Sequence, residues 1–193
     1  MGRVTDVAPA ERVTDIAPAG LVPAAWLLTA AAHTTLASDR TLLVGIAVMD
    51  VALLAFLVAS IGEMTGPVLP AWQQVILAGL LATVLGTVDM VVRPGSDPAL
   101  PVTLYAWMLL PAAAYLHTGR ETTRDPHRRV YLAAAVLSVL GATLYSLPFL
   151  AIVGGLRLEL AGIAVLGIGQ TAGIVAAAHH NAAERRRHPD PFI

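Results

Sequence analysis

Residues 41–60 read TLLVGIAVMDVALLAFLVAS. A single ionisable side chain, Asp50, interrupts this otherwise uncharged and mostly aliphatic stretch. A helix needs about 20 consecutive, mainly apolar residues to cross the hydrocarbon core of a bilayer. The segment therefore predicts a transmembrane helix with Asp50 close to the middle of the membrane.

The composition of the whole chain agrees with a membrane location. Of its 193 residues, 56% are hydrophobic and 13% are charged, whereas soluble domains average about 25% charged residues. So few charges cannot cover a surface that faces water. Most of the surface is therefore expected to face lipid.

Five further segments meet the same length and composition test, and together with 41–60 they predict an all-α, polytopic membrane protein. They are 20–36, 71–92, 100–117, 130–153 and 158–179. The expected architecture is a bundle of six transmembrane helices within residues 20–180. Residues 1–19 are expected to form a cytoplasmic arm, which contains the tandem repeat RVTDVAPA (3–10) and RVTDIAPA (12–19). Residues 181–193 are expected to form a basic cytoplasmic tail.

Arginine placement predicts the orientation of the six spans. Loops and tails on the cytoplasmic side carry an excess of Lys and Arg. With the N-terminus inside, nine arginines fall on the inner side and three, Arg40, Arg93 and Arg157, on the outer side. The pattern predicts a multi-pass protein of the cell membrane with both termini cytoplasmic.

Several classes of chemistry are excluded by the residues that the sequence lacks. It has no cysteine and no lysine, which excludes disulfides, thiolate ligands and Lys-dependent covalent catalysis. The phosphate-binding, zinc-protease and nucleophile-elbow motifs are absent from the sequence. A net charge of −1 argues against a nucleic-acid partner. Whether the chain is an enzyme stays open, and a non-enzyme is favoured.

Small residues at spacings of four predict where the helices pack closely. Membrane helices associate through close contact and interhelical hydrogen bonds rather than through hydrophobicity. The fifth, sixth and third spans carry such stripes, which are expected to form the tight centre of the bundle. The stripes are Ala134, Ser138, Ala142 and Ser146; Gly169, Gly173 and Ala177; and Ala78, Ala82 and Gly86.

Asp50 leads the candidate functional residues, because an ionisable group in the hydrocarbon region is costly and points to function. It should face the bundle interior, be protonated, or both. Gln170 and Thr83 lie near the middle of their spans, and Thr143 and Tyr145 lie slightly outward of the middle in the fifth. These five residues are expected to form a midplane polar site for a proton, a cation or a polar solute. The alternative is that Asp50 is a protonated hydrogen-bonding contact between helices.

A second polar cluster is expected near the outer face, from His33, Asp89 and Tyr105. A His–Asp pair can fix the histidine tautomer and act as a general base or in proton transfer. The alternative is that Asp89 simply pairs with Arg93, one helical turn away.

No cofactor or metal is expected. Haem or metal ligation by His117, His179 and His180 at the inner face is the alternative, because facing histidines are the usual ligands. These histidines fall at the water boundary, however, where the residue is common.

Three functions remain open. The first is a small transporter, channel or proton-coupled protein built on the midplane site. The second is an accessory or structural subunit, or a sensor, without its own chemistry. A membrane-embedded enzyme that uses the outer cluster is the third. The expected partners are the lipid bilayer and either a second copy of the chain or another membrane subunit.

Overall fold

The computed structural model describes residues 9–34, 36–62, 64–123, 125–150 and 157–187, without the side chains of 9–18 and 181–187. Within these residues the chain is all-helical, as predicted. The helices are α1 (Pro9–Ala32), α2 (Asp39–Ala59), α3 (Leu69–Val92), α4 (Ala99–Glu121), α5 (Arg128–Ser146) and α6 (Leu158–Arg187).

Five of the helices, α2 to α6, are long and apolar enough to cross a membrane. This indicates a multi-pass membrane protein. The apolar part of α1, Ala19–Ala32, is shorter than these five segments. The α1 helix begins at Pro9 and so includes much of the stretch expected to be an arm; residues 1–8, and with them most of the first repeat copy, lie outside the described residues.

Local sequence explains several helix ends. Ser38 caps α2, because its hydroxyl accepts a hydrogen bond from the backbone N–H of Thr41. The loop after α3 turns at Gly95, whose φ of 82° suits glycine. At its C-terminal end α5 gives way to a 3₁₀ turn, Leu147–Leu150, which contains Pro148.

The helices form a closed ring in chain order. Each helix contacts the next, and α6 contacts α1. Across the described residues, α4 also touches α6, whereas α3 contacts neither α5 nor α6. The prediction that α3 shares one centre with α5 and α6 was therefore wrong. Its small residue Gly86 packs against Thr103 of α4 instead.

The backbones of α5 and α6 approach each other closely. A Cβ atom added at Gly141 would lie 2.5 Å from the carbonyl oxygen of Gly162, and one added at Gly162 would lie 2.6 Å from the backbone nitrogen of Tyr145. Ser138 and Leu166 beside this contact are fully buried. The two backbones approach so closely because both helices present glycine at the crossing.

The α2 helix is packed quite differently. None of its residues is buried, whereas 39% of the residues in the most apolar window of each of α3 to α6 are buried. The helix touches α3 and, to a small extent, α1. Most of its surface therefore faces outward.

Candidate functional site

The centre of the bundle is organised around Gln170 of α6. Its side-chain oxygen accepts a hydrogen bond from the indole N–H of Trp26 in α1 at 3.1 Å. Its side-chain nitrogen donates to the backbone carbonyl of Trp107 in α4 at 3.1 Å. The backbone carbonyl of Gln170 accepts from the hydroxyl of Tyr115 at 2.8 Å. This buried residue therefore uses its hydrogen bonds to join α1, α4 and α6.

Thr83 of α3 lies in a second interhelical contact. Its hydroxyl accepts a hydrogen bond from the indole N–H of Trp107 at 2.9 Å and donates to the carbonyl of Gly79 at 2.6 Å. Thr143, by contrast, is exposed and donates to the carbonyl of Val139 in its own helix. Trp107 thus links Thr83 to the Gln170 group, while Thr143 faces away from it.

Asp50 lies apart from this central group. Its Oδ2 accepts a hydrogen bond from the hydroxyl of Thr87 in α3 at 2.6 Å. Its Oδ1 is buried and receives no hydrogen bond from the described residues. Because α2 and α6 share no contacts in the described part of the chain, Asp50 and Gln170 do not form one site. Thr87, which the sequence analysis did not single out, is the partner of Asp50.

His33 at the end of α1 pairs with Tyr145 of α5. The Nδ1 of His33 lies 2.8 Å from the carbonyl oxygen of Thr29, and its Nε2 lies 2.8 Å from the hydroxyl of Tyr145. A carbonyl oxygen can only accept, so Nδ1 carries a proton. In the neutral imidazole Nε2 is then the acceptor for the tyrosine hydroxyl. This contact fixes the tautomer of a histidine that is itself exposed.

The same end of the bundle also holds Tyr105 of α4. Ser146 donates to the carbonyl of Ala142 at 2.8 Å, so the Tyr105 hydroxyl donates to Ser146 at 2.7 Å. The rings of Tyr105 and Tyr145 meet edge to face, 5.8 Å between centroids. The structure therefore brings His33 and Tyr105 together through Tyr145, a residue that depth alone had assigned to the midplane.

Asp89 takes no part in this cluster among the contacts of the described residues. It is buried, pairs with Arg93, and accepts a hydrogen bond from the backbone N–H of Ala99 at 2.8 Å. Ala99 is the first residue of α4, so the carboxylate stabilises the start of that helix and links it to α3. The structure therefore agrees with the alternative that Asp89 pairs with Arg93.

Histidines at the other end of the bundle separate into different environments. His117 donates from Nε2 to the carbonyl of Pro67 at 2.8 Å, which ties the end of α4 to the loop before α3. His179 is exposed. His180, however, lies with His127 around the carboxylate of Asp125. Asp125 belongs to the loop between α4 and α5, and the sequence analysis did not select it.

The segment Asp125-Pro-His127 explains the position of that carboxylate. The Oδ1 of Asp125 accepts a hydrogen bond from the backbone N–H of His127 at 2.7 Å, two residues further on. An aspartate that bonds its own backbone in this way forms a tight turn, and Pro126 restricts the turn further. In the sequence, the signal for this cluster was the spacing of two positions between Asp125 and His127. Its importance depends on His180, which is more than fifty residues away.

Comparisons with protein-family models, with curated proteins and with solved structures find no match for this chain.

Proposed function

We propose that this protein is a structural subunit of the cell membrane that crosses the bilayer six times, with both termini cytoplasmic, and associates with a second copy through α2. The observation that carries this proposal is the use of polar groups. At the centre, the side chains of Gln170 and Trp26 hydrogen-bond to other helices, and the Thr83 hydroxyl accepts a hydrogen bond from Trp107 of α4. Groups engaged in this way hold helices together and are not available to a transported solute.

The pairing of α1 with the other helices supports six spans. Trp26 reaches Gln170 near the middle of α6, and His33 reaches Tyr145 near the C-terminal end of α5. The end of α1 therefore lies at the opposite end of α5 from Arg128 and Arg129. Since arginine-rich loops stay cytoplasmic, the start of α1 belongs on the cytoplasmic side.

The outward face of α2 supports association with a second copy. It is lined by Val44, Ala47, Val48, Val51, Ala52 and Ala55. Val44, Val48, Val51 and Ala55 follow spacings of four, three and four, the pattern that lets two helices pack along a common seam. The side chains of this face are valines and alanines without charge, so two copies can pack against each other through the same surface around a two-fold axis.

Cysteine crosslinking tests this interface without background, because the chain has no cysteine of its own. Val51→Cys lies on the proposed seam, and Val136→Cys on the outward face of α5 is a matched control; these valines are 69% and 65% exposed. Oxidation in membranes should give a crosslinked dimer for Val51→Cys and little for Val136→Cys. Equal crosslinking of both variants, or a monomer in native mass spectrometry, would refute the interface.

The same cysteine-free background tests the orientation. Ser96→Cys, between α3 and α4, should react with a membrane-impermeant maleimide in intact cells. Thr123→Cys, between α4 and α5, should react only after permeabilisation. The reverse pattern would invert the proposed topology.

A proton-coupled or transport function is the second candidate, and one observation favours it. Asp50 lies in the middle of an apolar helix with one carboxylate oxygen buried and without a hydrogen bond from the described residues. A carboxylate in that position can take up a proton or a cation. Neutralising Asp50 while preserving its hydrogen bond to Thr87 separates this function from a structural one.

A further inference from the structure

Three side chains with metal-binding chemistry meet where α5 begins and α6 approaches its end. Asp125 comes from the α4–α5 loop, His127 immediately precedes α5, and His180 lies on α6. One ligand atom from each residue lies within 4.8 Å of the other two. The sequence places these residues in two distant segments, so only the fold assembles them.

The Asp125 carboxylate contacts each imidazole through a different oxygen, at a distance close to that between neighbouring ligands of one metal ion. Asp125 Oδ1 lies 3.0 Å from His127 Nδ1, and Asp125 Oδ2 lies 3.2 Å from His180 Nδ1. Ligand atoms at about 2.0–2.2 Å from a tetrahedral zinc ion are roughly 3.3 Å from each other. A carboxylate with two imidazoles is also a ligand set that selects divalent transition metals over calcium or magnesium.

The burial of the Asp125 carboxylate provides a second observation. Its side chain is 4% exposed, and its buried Oδ2 accepts no hydrogen bond within the described residues, where its polar contact is the ion-pair distance of 3.2 Å to His180 Nδ1. A buried carboxylate oxygen normally has a hydrogen-bond partner, because leaving it unsatisfied is costly. This oxygen points toward the side of the cluster where His180 lies.

The surroundings leave the cluster accessible from water. The side chains of His127 and His180 are 36% and 33% exposed. Arg128, the cation next in sequence, directs its Nε to the carbonyl of Gly119 at 3.0 Å, at the end of α4. An ion can therefore reach the exposed imidazoles from water and bind the buried carboxylate as well.

We propose that Asp125, His127 and His180 bind one divalent transition metal ion of the zinc class. Binding would release to water the protons that the two Nδ1 atoms direct at the carboxylate. The ion would take one carboxylate oxygen and two imidazole nitrogens from the protein and complete its coordination with water, as in sites that keep an open position. Binding joins the α4–α5 loop to α6 at the end of the bundle that carries most arginines. The site does not depend on the structural role proposed for α2.

Titration of the tag-free, full-length protein in detergent with Zn²⁺ tests the proposal, with Co²⁺ as a spectroscopic probe. Calorimetry should give one Zn²⁺ per chain, and Co²⁺ should give the visible absorption of a site with nitrogen ligands. His180→Ala should weaken Zn²⁺ binding by more than the roughly 10- to 100-fold lost with an outer-shell partner. His179→Ala, the neighbouring histidine on α6, is the matched control and should bind as the wild type does.

Asp125→Asn provides a variant that retains an acceptor for the turn. It should keep the elution profile of the wild type in size-exclusion chromatography and lose the rise in Tm that Zn²⁺ produces by binding the native state. The proposal is overturned if the wild type binds no Zn²⁺ at micromolar concentrations, or if His179→Ala weakens binding as much as His180→Ala does. In either case the cluster is an Asp–His ion-pair group only.

Discussion

The α5–α6 interface and α2 represent two ways of using apolar helices in one chain. At the interface, Gly141 and Gly162 bring two backbones into contact, and the neighbouring side chains are fully buried. Along α2, no residue is buried, although its hydropathy is the highest of the five spans. Hydrophobicity therefore places a helix in the membrane but does not place it in the protein core, because lipid and protein interiors are similarly apolar.

Adding one methyl group at a glycine of the α5–α6 interface should have the largest effect on stability. In Gly162→Ala the new Cβ meets backbone atoms of Gly141 and Tyr145, which cannot move without separating the helices. We expect a loss of about 3 kcal/mol in the free energy of unfolding, the upper part of the range for overpacking. Reversible unfolding in mixed micelles would measure it.

Gly45→Ala on α2 is the matched control for this substitution. Its Cβ would meet only the end of the flexible Leu28 side chain, and alanine favours a helix over glycine by about 1 kcal/mol. The variant should be as stable as the wild type or slightly more stable. A larger loss at Gly45 than at Gly162 would contradict the assignment of the two regions.

Gln170→Leu should have an intermediate effect, because it removes hydrogen bonds between α6 and both α1 and α4. Interhelical hydrogen bonds in membranes contribute about 0.6 kcal/mol each on average, and the indole N–H of Trp26 would lose its partner. We expect a loss of about 1–3 kcal/mol in the free energy of unfolding. Gln74→Leu, the same change at an exposed position of α3, should cost little in the same unfolding experiment.

Asp50→Asn should have the smallest effect on stability. The asparagine side chain keeps an oxygen that can accept from Thr87, and the charge is removed from the hydrocarbon region. The Tm in detergent should change little or rise slightly. Proton flux into proteoliposomes is the second measurement: a wild-type flux that this variant abolishes without loss of Tm would favour transport over the structural function.

Some of the site could be anticipated from sequence. Depth along each span suggested grouping His33 with Tyr105, because the end of α1 and the start of α4 were expected at the same membrane face; in the structure both residues contact Tyr145. Depth alone could not decide rotation. For this reason Tyr145 was placed with Asp50, although its side chain points to His33. The pairing of Asp89 with Arg93, by contrast, could be predicted from sequence, because the two residues lie one helical turn apart.

The helical character of the chain, the location of five apolar helices and the loops that concentrate arginine all follow from the amino-acid sequence. These properties depend on runs of neighbouring residues, and the bilayer imposes them on each segment separately. Only the tertiary structure decided that α3 packs away from α5 and α6, that Asp50 meets Thr87, and that Asp125, His127 and His180 converge. Such pairings depend on how each helix is rotated against its neighbours. Rotation is set by close packing and hydrogen bonds distributed over the whole bundle, which no single segment of sequence contains.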